Sequence, residues 1–167
     1  MRPRLVALAP SVADVVSHAG GWLFDRVMAG WDVTVLVADS DATRPLDILG
    51  VRVVDLEAGL ARREGHPMPQ SLALDAQLYA TEPRVRERLR HVLEHELSEE
   101  VTLWGDGVAV DRPVDSVRHP LSYAARAFKA QAMAAMAAPG QVDPAELFHS
   151  CDLRNGYREF RDLVPVS

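Results

Sequence analysis

Apolar and polar positions fall into blocks whose spacing changes along the chain. Leu5 to Ala9 is a continuous apolar run, the pattern of a strand buried on both faces of a parallel sheet. Ser11 is a good helix N-cap, and Val12, Val15, Val16, Ala19, Leu23 and Val27 then share one helical stripe. Gly20-Gly21 lies inside that helix at a cost of about 1 kcal/mol per glycine relative to alanine, so close backbone approach is expected there. Gly30-Trp31-Asp32 breaks the helix, and Val33 to Ala38 forms a second strand. The first 41 residues therefore predict a βαβ unit. Asp39-Ser40-Asp41 reads as a turn, Pro45 suits the first turn of a short helix closed by Gly50, and Val51 to Leu56 is a third strand.

Residues 57 to 72, punctuated by Gly59, Gly65, Pro67 and Pro69, read as a loop, with a short helix expected over 71–79. Pro83 opens a helix in which Val85, Leu89, Val92, Leu93 and Leu97 repeat at three- and four-residue steps. Val101 to Trp104 is a fourth strand, 105–119 a loop, Leu121 to Ala138 an Ala-rich helix, 144–150 a short helix and 157–163 a last amphipathic segment. Strands alternating with helices predict a single α/β domain over residues 1–167. It is a Rossmann-like three-layer sandwich with a mostly parallel sheet and helices on both faces. The loops after the first, second and fourth strands (10–18, 39–44 and 105–120) would share the carboxyl edge, where open α/β sheets bind ligands.

Composition narrows the partners. The 167 residues carry a net charge of −6 and no long basic block, which argues against nucleic acid. Arg84 to Arg90 is basic but interleaved with apolar positions, and it reads as a solvated helix face, as do His91 and His95. The single cysteine, Cys151, allows neither an intrachain disulfide nor a thiolate zinc site and fits a reducing, cytoplasmic setting. No apolar run approaches the roughly 20 residues needed to cross a bilayer, and the one behind Met1-Arg2-Pro3-Arg4 is too short for a signal peptide. Trp22, Trp104 and Phe128 suit either a core or an interface, so a homo-oligomer or a partner protein is left open.

Nucleotide-phosphate, metalloprotease and serine-hydrolase motifs are missing: there is no GxGxxG after the first strand, no GxxxxGK[ST], no HExxH and no GxSxG. Asp14 and His18, four apart, share one face of a helix that starts at the ligand edge, and Asp with His can ligate zinc. His119 precedes a helix in the last edge loop, where it could bind a metal, bind an oxyanion or cap the helix. Asp106, Asp111 and Asp115 share that loop.

Pro10-Ser11-Val12-Ala13-Asp14-Val15, then Gly20-Gly21, then Gly30-Trp31-Asp32-Val33-Thr34-Val35-Leu36-Val37 resembles the opening of the LmbE/PIG-L family of zinc-dependent N-acetylglucosaminyl deacetylases, with its A-H-P-D-D-E motif. His119-Pro120-Leu121-Ser122 is similar to the family's H-P-D-H, and Tyr157-Arg158-Glu159-Phe160-Arg161 to its closing Y-x-E-x-F-R phrase. The likeness spans most of the chain, which is short for the family and trimmed after the second strand. It implies an α/β fold and a site in which the metal ligands stand at Ser11, Asp14 and Ser122, the general base at Ala13 and an assisting histidine at His119. One ligand of three survives and the base is gone. A serine hydroxyl is a poor zinc ligand, and without zinc no bound water is brought to a pKa near 7.

Three readings follow. The first is a LmbE-like protein that has lost the zinc hydrolase chemistry, needs no cofactor and keeps a pocket for a sugar or amino-sugar-like small molecule, lined by Ser11, Asp14, His18, Asp115, His119 and Ser122. The second is an active amide hydrolase acting on an N-acyl sugar. It would use a rebuilt zinc site (Asp14, His18 and His119) or metal-free acid–base chemistry by Asp14 and His119. The third is a different α/β domain, such as the nucleotide-sugar-binding half of a glycosyltransferase-like fold. The coordinated loss of two ligands and the base favours the first.

Overall fold

A computed structural model of the chain describes residues 2–61, 68–108, 110–151 and 162–166. In chain order the elements are β1 (Arg4–Ser11), α1 (Val12–Met28), β2 (Asp32–Asp39), α2 (Arg44–Ile48), β3 (Arg52–Asp55), α3 (Leu56–Ala61) and β4 (Ser71–Asp75). There follow α4 (Ala76–Thr81), α5 (Pro83–Glu94), β5 (Glu100–Trp104), β6 (Asp115–Pro120), α6 (Tyr123–Ala135), β7 (Ala145–Ser150) and β8 (Val164–Pro165). The strands form one sheet in the order β3-β2-β1-β4-β5-β7-β6-β8. The pairings from β3 through β5 are parallel, and those of β7 with β5 and of β6 with β7 and β8 are antiparallel. The expected α/β class, with a mostly parallel sheet and helices on both faces, is what is found.

Side-chain alternation along the strands divides the interior into two layers. Leu5, Ala7, Ala9, Val33, Val35, Val37, Ala73 and Trp104 point to the core under α1, α2 and α6. Leu8, Leu36, Leu72, Leu74, Val101 and Leu103 point to the core under α3, α4 and α5. The glycine pair in α1 marks the predicted close approach. A Cβ on Gly21 would fall 2.3 Å from Leu121 Cδ2, where α6 crosses. At the same turn a buried ion pair enters the helix backbone. The Glu146 carboxylate accepts from the N–H groups of Gly21 (2.9 Å) and Trp22 (2.6 Å), and Lys129 Nζ donates to Ser17 O and to Glu146.

Four expectations are corrected. Ser71 to Asp75 is a strand, β4, with a helix only from Ala76. The expected loop after Glu57 begins as α3. His119 lies near the end of a strand, β6, that takes up the last part of the expected 105–120 loop. Residues 145–150 are β7, not a helix. For β4 and β7 the physical reason is shared: SLALD and AELFHS contain no β-branched residue, and leucine and alanine favour helices in isolation, so pairing with neighbouring strands decided the outcome. The expected segment at 157–163 lies outside the described residues except for Asp162 and the buried Leu163.

Candidate functional site at the carboxyl edge

The carboxyl ends of β1, β4 and β5 lie side by side, with Leu8 opposite Leu74 and Asp75 opposite Trp104. Each contributes to one cluster. Ser11 ends β1 in an extended conformation and caps α1, its hydroxyl accepting the Asp14 N–H at 3.2 Å. That cap places Asp14 in the first turn, where the helix dipole favours a carboxylate. Trp104, fully buried, donates its indole N–H to Asp14 Oδ2 at 2.9 Å. Asp75, also buried, caps α4 by accepting the Leu78 N–H through Oδ1 at 2.9 Å, and its carboxyl group lies within hydrogen-bonding reach of Asp14. His18, one turn on in α1 and half-exposed, brings Nδ1 to 3.3 Å from Asp14 Oδ1 and 3.1 Å from the Asp14 carbonyl.

These contacts divide the two carboxyl groups. Burial raises the Asp14 pKa, but hydrogen bonds from His18 and Trp104 and the His18 charge outweigh it, so Asp14 lies below its ordinary value. Asp75 lies above its ordinary value through burial and the neighbouring Asp14 carboxylate, with the Leu78 N–H pulling only partly the other way. His18 is raised, mainly by its hydrogen bond to Asp14, against the opposing effect of burial. The edge thus carries a carboxylate, a carboxyl group more readily protonated than usual, and an imidazole at the mouth. Two adjacent carboxyl groups pushed apart in this way can act as acceptor and donor towards one ligand.

Of the residues expected at the site, Ser11, Asp14 and His18 come together. His119 and Ser122 do not join them. His119, 5% exposed, holds Asp25 Oδ2 at 2.7 Å through Nε2 and the Asp162 carbonyl at 2.8 Å through Nδ1. Ser122 caps α6 and donates its hydroxyl to Asp25 Oδ1 at 2.6 Å. Asp25 is eleven residues beyond Asp14 on α1, about 16 Å at the helical rise of 1.5 Å per residue. The convergence of Asp14, His18 and His119 that a rebuilt zinc site requires is therefore not found. Asp115 is exposed at the amino end of β6, and Asp106 is exposed in the loop after β5. Asp75 and Trp104 were not expected to be site residues. Their signal was weak: an Asp closing an apolar run just before a helix, and a tryptophan that equally suited the core.

The residues present do not fit the zinc that the family resemblance implies. Ser11 is engaged as a helix cap, Ser122 is engaged with Asp25, and Ala13 stands at the position of the base. Among the described residues no group of three His, Cys, Asp or Glu side chains is placed to hold a metal ion.

In sequence, no family model and no curated protein matches the chain. In structure it is similar to solved deacetylases. A triple mutant of the teicoplanin-pathway deacetylase Orf2 superposes with a TM-score of 0.57 at 13% identity, covering 88% of this chain and 96% of that one. The A40926 pseudoaglycone deacetylase Dbv21 gives 0.58 at 18% identity over 83% of both chains, and the zinc-inhibited form of Orf2 gives 0.54 at 16% identity over 81% and 84%. At these identities the likeness establishes the fold. Among the described residues no helix is long and apolar enough to cross a membrane.

Proposed function

We propose that this chain is a LmbE/PIG-L-type domain that has lost zinc-dependent deacetylation and keeps a polar pocket for a sugar or amino-sugar-like small molecule at the carboxyl edge. The observation that carries this reading is the engagement of Asp14. The one surviving ligand position is enclosed by Trp104, Asp75 and His18, while the groups at the other ligand positions are spent on helix caps and on Asp25. The deacetylase likeness of the fold supports the class of ligand, and the pair of differently poised carboxyl groups supports recognition of hydroxyl and amino substituents.

A second reading, an amide hydrolase working by metal-free acid–base chemistry, is favoured by one feature: Asp75 stands beside Asp14 as a carboxyl group more readily protonated than usual, where His119 does not. Metal content and activity separate the two from each other and from a zinc enzyme. Protein purified without added metal is expected to hold no stoichiometric zinc, to take up none from micromolar zinc, and to leave N-acetylated sugars intact. Stoichiometric zinc that disappears in Asp14→Ala would overturn the first reading. Metal-free hydrolysis abolished by both Asp14→Asn and Asp75→Asn would establish the second.

A further inference from the structure

A cleft of about 430 Å³ opens between α5 and residues 110–112. That volume falls within the 300–1,000 Å³ of small-molecule sites. Its walls follow the carboxyl ends of β4 and β5, the strands that supply Asp75 and Trp104, but none of Asp14, His18, Asp75 and Trp104 lines it. It is a separate place along α5, and its occupation does not depend on the function proposed above.

The lining is divided. Tyr79, Leu93 and Val110 form an apolar floor continuous with the core beneath α3, α4 and α5. Charged groups surround it. Arg90 is engaged on its own helix, 2.6 Å from Glu87 and 3.7 Å from Glu94, a trio with one negative charge to spare. Arg86 and Arg112 against Asp111 offset that charge, so the lining is neutral as a whole and its cationic side is the pair Arg86 and Arg112. Arg86 is half-buried and fixed: its Nη1 donates to the carbonyls of Tyr79 (3.1 Å) and Ala80 (2.8 Å) at the end of α4. A guanidinium anchored through one nitrogen still carries the paired N–H groups of its other edge, which match the two oxygens of a carboxylate or sulfonate.

We propose that this cleft binds an organic anion with an apolar body, its carboxylate or sulfonate held by Arg86 and Arg112 and its body lying on Tyr79, Leu93 and Val110. The test is fluorescence titration of the whole chain with 1-anilinonaphthalene-8-sulfonate, which has both parts. Arg112 is the residue to change, because it is exposed and Arg86 also caps helix carbonyls. Saturable binding is expected. Arg112→Ala should weaken it about five- to tenfold, the loss of one charge-assisted contact at an exposed rim. Asp111→Asn should strengthen it about two- to threefold by removing the opposing charge. Arg84→Ala, an arginine of α5 that pairs with Glu57 and Glu82 outside the cleft, should leave it unchanged. Naphthalene-1-sulfonate should displace the probe, and inorganic sulfate at equal ionic strength should not. Absence of saturable binding, equal affinities for the Arg112 and Arg84 variants, or full displacement by sulfate would each overturn the proposal.

Discussion

Asp75 is the residue through which the edge cluster can be tested without any ligand. Its carboxyl group is buried beside Asp14, and its pKa is raised by that burial and by the neighbouring charge. A carboxyl group with a folded-state pKa above its unfolded value of about 3.9 contributes its full stability below that value and loses it as the pH rises through the folded pKa. Asparagine at this position keeps the cap on α4 and can donate its amide to Asp14, with no proton to lose. Asp75→Asn is therefore expected to match the wild type at about pH 3 and to exceed it by about 0.5–1 kcal/mol at pH 7. Urea unfolding of both proteins across that range reads the difference. A variant less stable than the wild type at pH 7 would show that the Asp75 charge is favoured in the fold.

At the scale of elements, α1 and its packing were the most legible part of the chain. Ser11 as cap, the apolar stripe and the glycine pair all stand as the spacing implied, and the structure adds what the glycines are for. Magnitudes separate the two positions. Alanine gains about 1 kcal/mol over glycine in a helix, and overpacking costs about 1–3 kcal/mol. A Cβ on Gly20 meets Leu49 Cδ1 at 3.3 Å, a contact a flexible tip can relieve, whereas on Gly21 it meets Leu121 at 2.3 and 2.5 Å. Leu121 is buried and its N–H is tied to the Pro144 carbonyl, so it cannot withdraw. Gly21→Ala should lose about 2 kcal/mol and Gly20→Ala about none, compared by their denaturation midpoints. Equal midpoints would remove the close approach of α6 as the reason for the pair. What was illegible had a different cause. β4 and β7 lack β-branched residues, and their strand character comes from partners distant in sequence. Asp14 with His18 could be read from a four-residue spacing. Asp75 with Asp14 could not, because their meeting depends on β4 being inserted between β1 and β5, and β4 itself was read as helix. His119 failed for the same reason: taken as the end of an edge loop, it lies in a strand and meets Asp25 in the far half of α1.

Across the whole molecule, one buried cation ties the chain's far-separated parts together. Arg26, 2% exposed, lies with its guanidinium 4.8 Å from the Trp22 ring centroid and 4.4 Å from that of Trp31. Its Nη2 meets both oxygens of Glu100 at 3.1 Å, at the start of β5, and it pairs with Asp162 through Nε and Nη2. Glu100 also accepts from Ser71 at the start of β4, and Asp162 accepts from the Trp22 indole while its carbonyl meets His119. The carboxyl-terminal residues that form β8 are thus fastened to α1 and β6 through Asp162. Burial alone would raise the pKa of that carboxylate. The Arg26 hydrogen bond and charge more than reverse the effect, and the pKa lies below its ordinary value. A group of this kind contributes stability that is present above its unfolded pKa, about 3.9, and is lost as the pH falls through the folded value. Breaking a buried pair outright costs about 3–5 kcal/mol, but here Glu100 remains to answer Arg26. Asp162→Asn is accordingly expected to lose about 2 kcal/mol at pH 7, with the deficit shrinking as the pH drops below about 4, where the wild-type carboxylate takes up its proton. Hydrogen exchange gives the localised readout: the Val166 N–H, bonded to the Ser116 carbonyl at 3.0 Å, should lose protection before the amides of β1 and β4 do. If β8 keeps its protection in the variant while global stability falls, Asp162 acts through the core around Arg26 and not as the fastening of the terminal strand.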